Sequence, residues 1–114
     1  MKHKINDFII MTNEKNFKKI LAAIEGNLKS EWVKTSTDSD TFGDNDMYCY
    51  IKEGKESVAV WIAVNELHRV YLSNIVRKGT SELTPAEYNS YIDDFFTYEM
   101  LDAISELGVA WEKK

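Results

Sequence analysis

Four aspartates, Asp38, Asp40, Asp44 and Asp46, fall within nine residues, a density of carboxylates that could hold an ion or meet a cationic partner. The run Asp38-Ser39-Asp40-Thr41-Phe42-Gly43 opens like a calcium loop, with Asp at positions one and three and Gly at six. Phe42 then stands at position five and Cys49 at position twelve, where a bidentate Glu is required, and a strand pattern follows in place of a helix. The loop is therefore read as a solvated acidic surface and not as a metal site. Nucleophilic and acid–base chemistry has little to work with. His3 lies near the chain start and His68 in a polar turn, neither beside a second ligand in a metal-binding spacing. Cys49 is the sole cysteine and alternates with Tyr48 and Tyr50, as a small buried strand residue does. The glycines are scattered at turns and helix ends, so no phosphate-cradling loop forms. No catalytic residue, metal or cofactor is assigned, and the chain is expected not to be an enzyme.

Charge and aromatic residues are more informative. The 114 residues carry a net charge of −5, unevenly placed: residues 1–34 hold half of the basic residues, whereas no Lys or Arg occurs between Lys78 and Lys113. Glu82, Glu87, Asp93, Asp94, Glu99, Asp102 and Glu106 all fall in that interval. Such a surface repels nucleic acid and anionic lipid and attracts basic proteins. Tyr48, Tyr50, Trp61 and Tyr71 alternate along neighbouring strand patterns and could form an aromatic contact face. The candidate partner-binding residues are accordingly Asp38, Asp40, Phe42, Asp44, Asp46, Tyr48, Tyr50, Trp61 and Tyr71.

The elements that must position these residues follow from periodicity. Phe8 to Met11 reads as a short buried strand. Phe17, Ile20, Leu21, Ile24 and Leu28 recur at helical spacing behind a Thr12-Asn13 cap, and Gly26-Asn27 either ends the helix in a left-handed conformation or lies just inside its last turn. Trp32 to Thr37 is strand-like, Asp38 to Asp46 a loop, and Met47–Lys52 and Ser57–Val64 flank Gly54 as a hairpin. A two-residue turn at Gly54-Lys55 would set Ile51 opposite Val58, Cys49 opposite Val60 and Met47 opposite Ile62, an aliphatic face expected to meet the helices. A further strand spans Arg69 to Val76. Thr84-Pro85-Ala86-Glu87 has the form of a capping box with proline at the first helical position, and Leu83 and Tyr88 are spaced as a hydrophobic staple. The apolar stripe drifts after Met100, which is compatible with one curved helix or with two broken near Thr97. Gly108 suits the residue after a helix end, with Val109 packing back and Trp111 as a core anchor. The sum is a single α+β domain over residues 1–114. It has a mainly antiparallel sheet of about four or five strands, an N-terminal helix and one or two C-terminal helices packed on one face.

The strand end Leu72-Ser73-Asn74-Ile75-Val76, followed by Glu82 to Phe95 with its capped start and buried aromatics, resembles a strand-to-helix joint recurring in small acidic bacterial proteins. Some of these resemble immunity or antitoxin proteins encoded beside toxins. The resemblance implies a non-catalytic inhibitor that neutralises a toxin through an acidic surface, and it carries no functional residue with it. Alternatives are a phage-encoded inhibitor of a nucleic-acid-binding defence protein, a small enzyme, or a subunit that assembles with itself. The expected partner is a protein with a basic surface, without direct nucleic-acid or membrane contact. The four-residue apolar stretch near the start is too short for a signal peptide or a membrane span, from which a cytoplasmic location is expected.

Overall fold

The computed structural model describes residues 8–10, 17–39, 46–54, 57–79, 82–108 and 111–113. In chain order the elements are β1 (Phe8–Ile10), α1 (Phe17–Gly26), β2 (Trp32–Ser39), β3 (Asp46–Lys52), β4 (Val58–Val64), β5 (Val70–Arg77), α2 (Pro85–Phe95), α3 (Tyr98–Glu106) and β6 (Trp111–Lys113). The six strands form one sheet in the order β2-β3-β4-β5-β1-β6, with every neighbouring pair antiparallel. The α+β class is thus as expected. The chain end adds a strand, β6, where sequence periodicity indicates only an anchoring tryptophan.

The three helices pack on one side of the sheet. Ile20, Leu21 and Ile24 of α1, Tyr88, Ile92 and Phe95 of α2, and Met100 and Ile104 of α3 share a single core with Trp32, Tyr50, Val58, Val60, Ile62, Val64, Val70, Leu72 and Ile75. Helical spacing of the first set and strand alternation of the second are what allow two layers to share one apolar interior. Phe95 sits at its centre, edge-on to Trp32 at 5.2 Å and to Phe96 at 4.9 Å, and tilted against Tyr50 at 5.5 Å. Such geometries suit aromatic quadrupoles better than a face-to-face sandwich.

Local signals set the helix ends. Thr84 Oγ1 accepts from Glu87 N at 3.1 Å while Glu87 Oε1 accepts from Thr84 N at 3.0 Å, the reciprocal capping box. The helical run after Pro85 is two helices, not one. Phe96 leaves helical geometry, and Thr97 caps α3 by accepting from Met100 N at 3.2 Å. Gly108 takes φ +75° just beyond α3, a left-handed conformation that costs glycine little. Gly26, by contrast, is the last residue of α1 itself.

The β3–β4 register corrects the sequence-based expectation. Lys52 pairs with Val58, Ile51 with Ala59, Tyr50 with Val60, Cys49 with Trp61, Tyr48 with Ile62 and Met47 with Ala63. Five residues, 53–57, lie between the last paired positions instead of two, and the shift by one residue turns one strand over relative to the expected pairing. Met47, Cys49 and Ile51 therefore face away from the helices, and Tyr48 and Tyr50 face toward them. The physical preference is visible at Tyr50: its ring is fully buried among the helices while its hydroxyl donates to Glu25 Oε2 of α1 at 2.9 Å. An aliphatic residue there would leave that carboxylate without its phenol donor.

Two bulges preserve the inward alternation elsewhere. In β5, Ile62 pairs with Leu72 but Trp61 pairs with Asn74, leaving Ser73 as the additional residue, so that Leu72 and Ile75 both reach the core. In β2 a similar irregularity falls between Lys34 and Thr37. The β4–β5 connection, Asn65 to Arg69, is held by Asn65 Oδ1, which accepts from Leu67 N and Arg69 N. His68 adopts φ 58° there and stacks on Phe17 at 4.6 Å.

Candidate interaction surfaces

The sheet divides the candidate residues between its two sides. Tyr48 and Tyr50 point to the helices. Tyr50 is inaccessible, and Tyr48 packs against the rim of the core with the Lys34 ammonium 5.6 Å from its ring centre. Burial raises the Tyr50 phenol well above its ordinary range, and the adjacent Glu25 carboxylate raises it further, so it stays protonated as a donor. Trp61 and Tyr71 lie on the opposite side, with Trp61 opposite Cys49 and Tyr71 opposite Ala63. The expected aromatic quartet is therefore two separate pairs, because the register differs by one residue from the aliphatic-to-aliphatic pairing. Tyr50, with none of its surface exposed, is not available to a partner, contrary to the expectation from sequence.

The expected acidic loop is shorter than its sequence suggests. Asp38 lies within β2, paired with Met47, and Asp46 lies within β3, paired with Val64. Asp40, Phe42 and Asp44 lie outside the described residues. Cys49 is buried, as expected from its alternation, although beside Trp61 and not Val60. Among the described residues no group of three His, Cys, Asp or Glu is placed to hold a metal ion, and no helix is long and apolar enough to cross a membrane.

Several carboxylates serve the fold. Asp94, near the end of α2, receives Lys29 Nζ at 2.9 Å, Lys52 Nζ at 2.9 Å and Trp32 Nε1 at 3.0 Å, tying that helix to the segment before β2, to β2 and to β3. Burial alone would raise its pKa. The hydrogen bonds from Lys52, Lys29 and Trp32 outweigh that effect and hold the carboxyl at about 2. Glu25 joins Tyr50 to Lys34, the latter at 2.9 Å. Glu87 receives both terminal nitrogens of Arg77, at 3.0 and 3.3 Å, while also closing the cap. The Thr84 backbone and then Arg77 lower its carboxyl below the usual range.

The outer face of α3 is arranged differently. Glu99, Asp102 and Glu106 fall at i, i+3 and i+7, all exposed, opposite the buried Met100 and Ile104. Tyr98 stands at the start of that face with 85 % of its surface exposed. No basic residue lies in the last turn of α3, and the Glu99–Asp102 and Asp102–Glu106 spacings place like charges side by side. Each such pair costs a helix roughly 0.2–0.5 kcal/mol, which the favourable place of Glu99 in the first turn offsets and the place of Glu106 at the last turn does not. Tyr98 carried no signal in the sequence, because an aromatic next to the stripe Met100-Leu101-Ile104 reads as another core residue.

The sheet side without helices is mostly apolar. From β3, β4 and β5 it presents Met47, Cys49, Ile51, Ala59, Trp61, Ala63, Tyr71, Asn74 and Val76, and from β2 it presents Val33. Val33 is 58 % exposed and Val76 39 %, while Trp61 and Tyr71 are half-buried and Cys49 and Ala63 are buried. Comparison of the chain with protein-family models, with curated proteins and with solved structures finds no match.

Proposed function

We propose that this chain is a non-catalytic binding protein, an inhibitor of the immunity or antitoxin kind, that occludes a basic protein through the acidic side of its helical layer. The observation that carries this reading is the outer face of α3. It exposes Tyr98 beside Glu99, Asp102 and Glu106, with no cation on that helix and with Glu106 at the end where the helix dipole disfavours an acid. A protein that only needed solubility would gain from interspersed Lys at these positions. Tyrosine ringed by acids suits docking onto a cationic cleft, where the ring supplies contact area and the carboxylates supply attraction. Toxins that act on nucleic acid carry such clefts, because their substrate is a polyanion. Asp38 near the end of β2 and Asp46 at the start of β3 add negative charge at that end of the strand pair.

Affinity capture from the native host, followed by co-expression, tests this. The captured protein is expected to be basic, and its activity in cells is expected to be suppressed by the wild type and less so by Tyr98→Ala. Capture of an acidic or neutral partner, or equal suppression by the variant, would contradict the reading.

A further inference from the structure

The first turn of α1 carries Lys18 and Lys19, both exposed, and no acid, so two cations stand at the positive end of that helix dipole. α3 shows the reverse, with Glu106 as its last residue and no basic residue in its last turn. Among the described residues, none of Lys18, Lys19, Glu99, Asp102 and Glu106 belongs to a salt bridge. The two helices are neighbours in the helical layer, and each carries the charge that the other lacks. We infer that α1 and α3 together form an interface with a second copy of the chain, α1 of each copy packing antiparallel against α3 of the other.

The spacing of the exposed residues fits this pairing. Lys18, Ala22 and Gly26 lie along one i, i+4, i+8 ridge of α1, all exposed, and nothing lies within 4 Å of where a side chain on Gly26 would begin. Tyr98, Asp102 and Glu106 form a ridge of the same spacing and the same length, about 12 Å, on α3. Laid antiparallel, the ridges set Glu106 beside Lys18, Asp102 beside Ala22 and within reach of Lys19, and Tyr98 over the bare stretch at Gly26. Two such ridges align when helices cross at about −50°, the commonest packing class. Opposite charges thus meet at one end, and an exposed ring meets a small-residue hollow at the other.

Strand directions allow the contact to form twice. β1 and β2 run the same way through the antiparallel ladder, and β5 and β6 run the opposite way. α1 links the first pair and must return against it, while α2 and α3 link the second, so the chain passes through α1 and α3 in opposite senses. A twofold axis along the groove between them lays α1 of each copy over α3 of the other, as an isologous interface requires. Two patches of opposite sign on one surface favour a second copy as the occupant, because a wholly basic partner would leave Lys18 and Lys19 facing cations. The patch is small. Two helices of ten and nine residues cover roughly 300 Å² in projection, below the ~800 Å² per partner of a standard interface, so the dimer is weak and fills at high concentration. A basic partner for α3 would compete for the same acids, but the dimer does not rest on that partner.

Sedimentation velocity of the chain alone, from low micromolar to sub-millimolar protein, tests the interface. The wild type is expected to move toward the mass of two chains as concentration rises at low salt, and to return to one chain at high salt. Lys18→Glu/Lys19→Glu and Asp102→Lys/Glu106→Lys, all at exposed positions, are each expected to stay at one chain, with folding verified by circular dichroism. Mixed in equal amounts, these two variants are expected to associate again, because every reversed charge then faces its opposite. If a charge-reversed variant fails to fold, Lys18→Gln/Lys19→Gln is expected to show the same loss of association. A wild type at one chain over the whole range at low salt, association indifferent to salt, association retained in either reversed variant or in the Gln variant, or a mixture no more associated than its components would overturn the inference. No basic protein enters this experiment, so its failure would leave the proposed function standing.

Discussion

The two sides of the sheet are built from the same strands, yet they meet different demands. On the helical side β2 to β5 send buried residues into one core, and polar groups that reach it are tied down: Tyr50 to Glu25, Trp32 and Lys52 to Asp94, Arg77 to Glu87. On the other side the residues are uncharged across β3 to β5 and, Asn74 apart, apolar, with no helix over them among the described residues. One side shows how the fold is held. The other, together with the outer face of α3, shows surface that folding alone does not explain: Val33 and Val76 exposed at the margins of the sheet, and like charges adjacent on a helix.

The contrast is sharpest in the core. Phe95→Ala removes a ring in contact with Trp32, Tyr50 and Phe96, and is expected to cost about 3–5 kcal/mol, enough to unfold much of a marginal domain. Val33→Thr on the open face is expected to fall within about 0.5 kcal/mol, as exposed substitutions do. Chemical denaturation of the two variants side by side checks the difference, and comparable losses would mean that the open face is part of the core.

Asp94 gives the next largest effect and a pH signature. Its folded pKa of about 2 lies below the ordinary carboxylate value, so its contribution is complete above about pH 4 and is lost as pH falls through about 2. Asp94→Asn is expected to cost about 1–2 kcal/mol at neutral pH, after allowance for solvent screening, and its stability curve should approach that of the wild type toward pH 2. A constant gap over that range would mean that the ion pairs with Lys29 and Lys52 do not carry the effect.

Smaller still is the capping box. Thr84→Ala is expected to lower stability by ~1 kcal/mol, since it removes the acceptor for Glu87 N at the start of α2. An unchanged denaturation midpoint would show that α2 does not depend on this cap. The smallest effect has the opposite sign. Replacing Asp102 and Glu106 by Asn and Gln relieves a like-charge pair and an acid at a helix C-terminus, and is expected to raise stability by a few tenths of a kcal/mol. A loss of stability would mean that these acids serve the fold.

The features legible in the sequence are those set by near neighbours. Thr84, Pro85 and Glu87 declare the start of α2 within four residues, and Phe17, Ile20, Leu21 and Ile24 declare the buried face of α1. The break at Thr97 was partly visible as a drift of the stripe after Met100. What was not legible depends on parity and distance. Whether Cys49 meets Val60 or Trp61 turns on how many residues close the β3–β4 hairpin, and that number responds to the burial of Tyr50 against Glu25, 25 residues earlier in the chain. The Ser73 bulge and the β6 strand are likewise settled by partners on other strands. The acidic surface is legible from its missing cations, but the exposure of its aromatic, Tyr98, is not, because exposure on a short helix depends on which turn packs against the sheet.

The most direct test of a basic partner on the acidic helical face is the association rate of the captured partner at low and high salt. It would be measured for the wild type, for Glu99→Gln/Asp102→Asn/Glu106→Gln, and for Val33→Asp/Val76→Asp. The neutralised α3 variant is expected to bind about tenfold more slowly at low salt, with a flattened salt dependence, because long-range attraction is lost while the contact geometry stays. The sheet-face variant is expected to match the wild type. Equal on-rates for the wild type and the neutralised variant at low salt would contradict the account.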